Sequence, residues 1–222
     1  MAEIEMRSFQ DDAEEPHVRG YLHRPAKASG DGLVLTHGAG GNCESALLVS
    51  LATAFCEAGV TVLRCDLPFR QSRPHGPPMR GSAERDQAGL RRAVEAMRKI
   101  APWRALLGGH SYGGRQASML AAAEPSLVNA LLLLSYPLHP PKKRDEIRAG
   151  HFPSLRTPAL FVHGMRDGFG TSEELEAALT LIPTRTESLP IQSAGHKLLS
   201  AKNRSELPTL VAAAFLKFVG DE

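Results

Sequence analysis

Three side chains that together can transfer an acyl group stand in three separate motifs of this 222-residue chain. Ser111 sits in Gly109-His110-Ser111-Tyr112-Gly113, Asp167 in Arg166-Asp167-Gly168, and His196 in Ala194-Gly195-His196. A serine hydroxyl is a weak nucleophile until a base takes its proton. An imidazole serves as that base when a carboxylate fixes its tautomer and stabilises its cation. In this reading Ser111 attacks, His196 takes the proton and later hands it to the leaving group, and Asp167 orients His196. The same chemistry needs donors for an oxyanion. Gly38-Ala39-Gly40-Gly41 offers a backbone N–H from one side and Tyr112 offers its own from the other. Each such donor is worth about 3–4 kcal/mol of transition-state stabilisation.

The elements around these motifs explain how residues so far apart could meet. An apolar run from Arg104 to Gly108 enters the serine, and the small-residue segment Ala117 to Ala123 leaves it. Strand, sharp turn and helix is the setting a Gly-x-Ser-x-Gly nucleophile requires. Glycines two positions either side, Gly109 and Gly113, fit a turn too close for a Cβ. Further buried-strand runs are Leu33 to Thr36, Val60 to Cys65, Ala130 to Ser135 and Ala159 to Val162, with a final strand expected at Thr186 to Pro190 and short strands at Met6 to Gln10 and His17 to His23. Helical spacing marks Leu47, Leu48, Leu51 and Phe55, then Leu90, Val94, Met97 and Ala101, and finally Leu207, Leu210, Val211, Ala214, Phe215 and Phe218. Thr171-x-x-Glu174 reads as a capping box for a helix carrying Leu175, Ala178, Leu179 and Ile182. Asp66 to Gly81 and Pro137 to Arg156 read as irregular. Strands alternating with helices predict a mostly parallel sheet covered on both faces, with ligands at the carboxyl ends of strands. Each motif above falls at such an end. Residues 1–222 read as a single α/β domain.

Every one of these residues also has a plainer reading. Asp167 in Arg-Asp-Gly is a good turn residue in any case. His196 is one of nine histidines. His37 and His163 precede glycine at strand ends and suit structural hydrogen bonds to neighbouring loops. His110 cannot reach back to its neighbour Ser111 as a base and suits packing. Glu173 and Glu174 are rival acids that helix capping explains better. Chain order and topological position join Ser111, Asp167 and His196 more tightly than any one motif does.

Bulk properties remove several functions. The net charge of +2 is spread through interspersed acids and bases, so no nucleic-acid partner is expected. The run Lys142-Lys143-Arg144 meets Asp145 and Glu146 at once and reads as a solvated loop. Three cysteines without Cys-x-x-Cys spacing argue against a disulfide framework and against a metal site. The sequence from Met1 to Arg7 has neither a charged nor an apolar leader region, and no run approaches the roughly 18 apolar residues of a membrane span. A cytoplasmic protein without membrane association is expected.

The motifs His37-Gly38-Ala39-Gly40-Gly41, Gly109-His110-Ser111-Tyr112-Gly113-Gly114, His163-Gly164-x-x-Asp167 and Gly195-His196 resemble those of the α/β-hydrolase superfamily over essentially the whole chain. The order serine, aspartate, histidine is that superfamily's. The chain looks most like the small, capless, dienelactone-hydrolase-like branch. Ser111 to Arg115 and Ser135-Tyr136-Pro137-Leu138-His139-Pro140-Pro141 are similar to segments of bacterial predicted hydrolases and of eukaryotic testis-expressed and NSL-complex hydrolase-like proteins. The resemblance implies an α/β-hydrolase fold with little or no lid, a triad of Ser111, Asp167 and His196, and oxyanion donors at Tyr112 and Ala39, with Gly40 as the alternative to Ala39. Dienelactone hydrolases proper use cysteine as the nucleophile where this chain has serine, so their substrate does not carry over.

The expected function is a serine hydrolase, acting on a small-molecule ester or thioester without metal or organic cofactor. A non-catalytic hydrolase-fold interaction protein and a peptidase or amidase on the same triad are the alternatives. A non-catalytic member would be betrayed by Ser111, His196 and Asp167 lying out of reach of one another. The short proline-rich connector after Ser135 predicts an open site. Arg70 and Arg73, on the loop Phe69 to His75, either meet a carboxylate-bearing substrate or are ordinary surface arginines. Arg70 and Gly40 are thus the candidate substrate contacts.

Overall fold

The computed structural model describes residues 4–141 and 143–220. Met1 to Glu3, where the leader reading begins, and Lys142 of the basic run lie outside them. Eight strands form one sheet in the order β1-β2-β4-β3-β5-β6-β7-β8. They are β1 (Ile4–Asp11), β2 (Val18–Pro25), β3 (Gly32–Thr36), β4 (Thr61–Cys65), β5 (Ala105–His110), β6 (Ala130–Leu134), β7 (Ala159–Gly164) and β8 (Thr186–Ile191). β2 runs antiparallel to both neighbours, and every pairing from β4 across to β8 is parallel. The helices are α1 (Ala46–Glu57), α2 (Pro68–Ser72), α3 (Ser82–Ile100), α4 (Tyr112–Ala123), α5 (Ser172–Leu179) and α6 (Leu207–Gly220).

The apolar runs are continuous because both sheet faces are buried. Val34, Leu107, Leu131, Leu133 and Phe161 face one core with Leu90 and Val94 of α3 and Leu120 of α4. Their strand neighbours Leu35, Leu106, Leu132 and Val162 face the other, with Leu51 of α1 and Phe215 of α6. Each fully buried leucine contributes roughly 1.5–3 kcal/mol through area removed from water. Register then aligns the functional ends: Thr36 pairs with Gly109, and His110 with Leu134.

Two stretches differ from expectation. The segment read as irregular after Cys65 contains the short helix α2, and α3 begins at Ser82, two turns before its first inward leucine, Leu90. The inward residues of those turns include Asp86 and Gly89, which give no apolar period. A Cβ on Gly89 would lie 2.5 Å from Cγ of Pro68, so glycine is what lets α2 seat on α3. As expected for a chain with little or no lid, the connector after β6 is irregular, with one 3₁₀ turn at Phe152–Ser154 among its described residues, and it folds down rather than rising as a lid. Tyr136, Leu138, Phe152 and Leu155 are all buried within it, and the Tyr136 hydroxyl donates to the Arg148 carbonyl at 2.6 Å. The capping box of α5 is formed as expected: Glu174 N–H donates to Thr171 Oγ1 at 3.1 Å and Thr171 N–H to Glu174 Oε2 at 2.7 Å. Among the described residues no helix is long and apolar enough to cross a membrane.

Candidate active site

Ser111 occupies the turn between β5 and α4 with φ 51° and ψ −114°, a conformation an L-residue reaches only at a cost. The turn is tight enough that side chains are excluded around it. A Cβ on Gly109 would meet the Gly114 nitrogen at 2.5 Å, and one on Gly113 would meet the His37 carbonyl oxygen at 2.4 Å. The second contact brings the end of β3, and the loop it feeds, against the start of α4. A Cβ on Gly38 would in turn come within 3.3 Å of the Ser111 Cβ.

His196 and Asp167 arrive on the loops after β8 and β7. Gly164 lets those loops touch, since a Cβ there would lie 2.6 Å from the carbonyl oxygens of both Ala194 and Gly195. The Arg166 N–H donates to the Ala194 carbonyl at 2.8 Å and locks them together. His196 Nδ1 lies 2.8 and 3.0 Å from the two Asp167 oxygens, and its Nε2 lies 2.8 Å from Ser111 Oγ. A carboxylate can only accept, so Nδ1 carries the proton and Nε2 presents a lone pair to the hydroxyl. The Asp167 side chain is fully buried and also accepts from the Phe169 N–H at 2.9 Å. The Phe169 ring lies against the His196 ring with centroids 4.3 Å apart.

His110 does more than pack: its Nε2 donates to the His196 carbonyl at 2.8 Å, so the residue before the serine holds the backbone of the histidine loop. His37 behaves as expected. Its Nδ1 donates to the Gly38 carbonyl at 2.8 Å and its Nε2 accepts from the Leu67 N–H at 3.2 Å. His163 likewise serves a neighbouring loop, its Nε2 donating to the Gly170 carbonyl at 3.0 Å.

Tyr112 opens α4, so its N–H has no carbonyl a turn earlier within the helix. Its phenol donates to Asp86 at 2.7 Å, and Asp86, wholly buried, also accepts from the Phe69 N–H at 3.0 Å. Burial pushes the Asp86 carboxyl above its usual range, against the pull of these two hydrogen bonds. Arg70 stands apart from both earlier readings. Only 5% exposed, it is no surface arginine, and its guanidinium is taken up by four backbone carbonyls rather than left to a substrate. Gly40, by contrast, is exposed at the rim and lines the cleft.

Two buried imidazoles make the fold acid-sensitive. Arg64 Nε donates to His23 Nε2 at 2.8 Å, which requires a neutral ring, and burial aided by the Arg64 charge lowers its pKa to about 4. Burial lowers His110 to about 4 as well. The unfolded chain therefore binds protons between pH 6.5 and 4 that the folded chain refuses, and stability present at neutral pH is lost as pH falls through that window. Each histidine accounts for up to ~2 kcal/mol between pH 7 and pH 5. Urea unfolding at those two pH values should show the loss, and His23→Gln should reduce it by the share of that one ring while leaving the share of His110; equal midpoints in the wild type would refute the assignment.

Beside Ser111 and His196 opens a cleft of about 530 Å³, walled by Ala39, Gly40, Leu47, Phe169 and Leu199 with Lys197 on its margin. Among the described residues no cluster of three or more His, Cys, Asp or Glu is placed to hold a metal ion. The sequence model of the family described as "Alpha/beta hydrolase domain" matches residues 29–214. The chain belongs to the α/β-hydrolase family. Solved structures with the same fold include a dienelactone hydrolase from Anabaena variabilis, at TM-score 0.76 and 20% identity over 96% of this chain and 98% of that one. Est1E from Butyrivibrio proteoclasticus matches at TM-score 0.74 and 18% identity, over 96% and 99% of the two chains. A serine hydrolase without a lid from Xanthomonas campestris matches at TM-score 0.73 and 17% identity, over 96% and 95%. Such identities speak to fold, and the folded-down connector of this α/β-hydrolase agrees with the lidless member. Sequence reasoning about this α/β-hydrolase missed Asp86 and the bond from His110 to the His196 loop. Only the acid at the start of a helix with no apolar period, followed by an inward glycine, hinted at Asp86.

Proposed function

We propose that this α/β-hydrolase cleaves small esters or thioesters through an acyl-enzyme on Ser111. The observation that carries the reading is the chain of short contacts from Asp167 through His196 to Ser111 Oγ. As Oγ bonds to the acyl carbon, its proton passes to His196 Nε2, and the carbonyl electrons move onto oxygen. The N–H groups of Tyr112 and Ala39 would receive that oxyanion. When the intermediate collapses, the C–O or C–S bond to the leaving group breaks and His196 returns the proton to it. Water then repeats the sequence on the acyl-enzyme, releasing the acid and restoring Ser111.

The open cleft and the short connector favour small or exposed acyl groups. The separation of Ser111, His196 and Asp167 expected of a non-catalytic member is not found. A fluorophosphonate probe should label the folded protein, and peptide mapping should place the adduct on Ser111. Folded protein that never labels, or labels elsewhere, overturns the proposal. A panel of matched esters, thioesters and amides then ranks the leaving groups, and an amide preferred over its ester would favour the peptidase or amidase reading.

A further inference from the structure

Arg70 is a buried cation in a place where hydrophobic burial alone would not put one. Among the described residues no carboxylate pairs with it, and its charge is met by carbonyl dipoles. Nε donates to the Gly41 carbonyl at 2.8 Å, Nη1 to Arg73 at 3.0 Å, and Nη2 to Ala39 at 2.8 Å and Gly76 at 2.9 Å. Removing a guanidinium from water is costly unless nearly all its N–H groups are bonded. Its rigid fork meets that demand by holding two carbonyls of the 38–41 loop at once, which a lysine ammonium cannot do in the same fixed geometry.

The consequence lies on the opposite side of the loop. A trans peptide is planar, with its N–H antiparallel to its C=O. Fixing the Ala39 carbonyl on Arg70 therefore turns the Gly40 N–H away from Arg70. The preceding peptide is set in the same manner: the Gly38 carbonyl accepts from His37 Nδ1 at 2.8 Å and from the Gly41 N–H at 3.1 Å, which directs the Ala39 N–H the other way. Gly38, Ala39, Gly40 and Ser111 all line the one cleft, and a Cβ on Gly40 would meet nothing within 4 Å.

We propose that Arg70 is a positioning residue for the oxyanion hole: gripping the carbonyls of Ala39 and Gly41 from behind, it aims the Gly40 N–H towards the reacting acyl oxygen and anchors the loop in which the bonds to the Gly38 carbonyl aim the Ala39 N–H. This rests on the acyl-transfer reading of Ser111. Arg70 touches no substrate, and its loss acts on the transition state more than on substrate binding.

The test compares wild type with Arg70→Met and Arg70→Lys on a neutral p-nitrophenyl ester and on the p-nitrophenyl monoester of a dicarboxylic acid, beside inhibition by a trifluoromethyl ketone, whose adduct carries an oxyanion. A folded Arg70→Met should lose ~10²-fold in kcat, because misaimed donors approach the cost of a deleted one. Its KM should stay within about threefold on both esters, and ketone inhibition should weaken in parallel with kcat. Arg70→Lys should lose about tenfold, since it retains the charge but grips one carbonyl. It decides the matter if the methionine variant does not fold. Wild-type kcat in either folded variant overturns the proposal. So does a rise in KM confined to the anionic ester with kcat intact, which would make Arg70 a substrate contact. Fluorophosphonate labelling separates the two readings. A wild type that never labels removes the acyl-transfer reading itself, whereas a wild type that labels no faster than its Arg70 variants removes only the positioning role.

Discussion

Ser111→Ala should abolish ester hydrolysis, by on the order of 10⁵–10⁶-fold in kcat, and Ser111→Gly should do the same while making the protein more stable than the alanine variant. The two substitutions remove the same hydroxyl and the same contact to His196 Nε2 at 2.8 Å. They differ in the Cβ that the backbone must carry at φ 51° and ψ −114°. Holding an L-residue there costs about 1–3 kcal/mol. Glycine removes that cost but gives the unfolded chain roughly 0.5–1 kcal/mol of extra entropy. Strain outweighs that entropy, so glycine should exceed alanine by about 0.5–2 kcal/mol in urea unfolding. The strain holds the hydroxyl out at the top of the sheet, which is why activity and stability should move in opposite directions here. Equal stability of the two variants would mean the turn stores nothing. Hydrolysis surviving in either would take the nucleophile away from Ser111.

The strands were legible for a physical reason. A sheet buried on both faces needs side chains such as Leu33, Val34 and Leu35 in unbroken sequence, and every predicted strand has its counterpart. The site was legible at its endpoints for a related reason. Parallel strands must release their loops at one edge, so Ser111, Asp167 and His196 could be placed together before any distance was known. Glycine spoke clearly at the elbow, where Gly109 and Gly113 admit no Cβ.

What stayed hidden are the groups acting across the fold through backbone atoms. Arg70 was read as facing substrate or solvent because its position after β4 gives the rim and not the direction. Its partners at Ala39 and Gly41 are set by how α2 turns, and α2 has only five residues. Asp86 was invisible because a polar residue on an inward helix face breaks the period by which helices are found. Its burial makes sense once the Tyr112 hydroxyl and the Phe69 N–H converge on it. His110 was read as packing, yet it donates to a carbonyl 86 residues away. No local pattern records such a bond.

Asp167→Asn should lower kcat by about 10⁴-fold with KM and fold preserved. The size follows from the hydrogen bonds rather than from the lost charge alone. The Phe169 N–H points at Oδ1 at 2.9 Å, and His196 Nδ1 lies 2.8 Å from Oδ2. An asparagine that keeps its oxygen on the Phe169 N–H must turn its amide N–H towards His196 Nδ1. The imidazole then accepts at Nδ1 and carries its proton on Nε2, where it meets the Ser111 hydroxyl with a donor instead of a lone pair. Flipping the amide restores the tautomer but opposes two donors at Phe169 inside a fully buried site, which costs roughly 1–3 kcal/mol. The first state leaves Ser111 without its base, and the second restores the base only in the minor population that this cost allows. Glu174→Gln is the control: that carboxylate is occupied by the Thr171 N–H at 2.7 Å, so kcat should not change and stability should fall by about 0.5–1 kcal/mol. Steady-state kinetics of the two variants decide between these acids. An Asp167→Asn enzyme within tenfold of wild type, or a Glu174→Gln enzyme that is inactive, would move the orienting role away from Asp167.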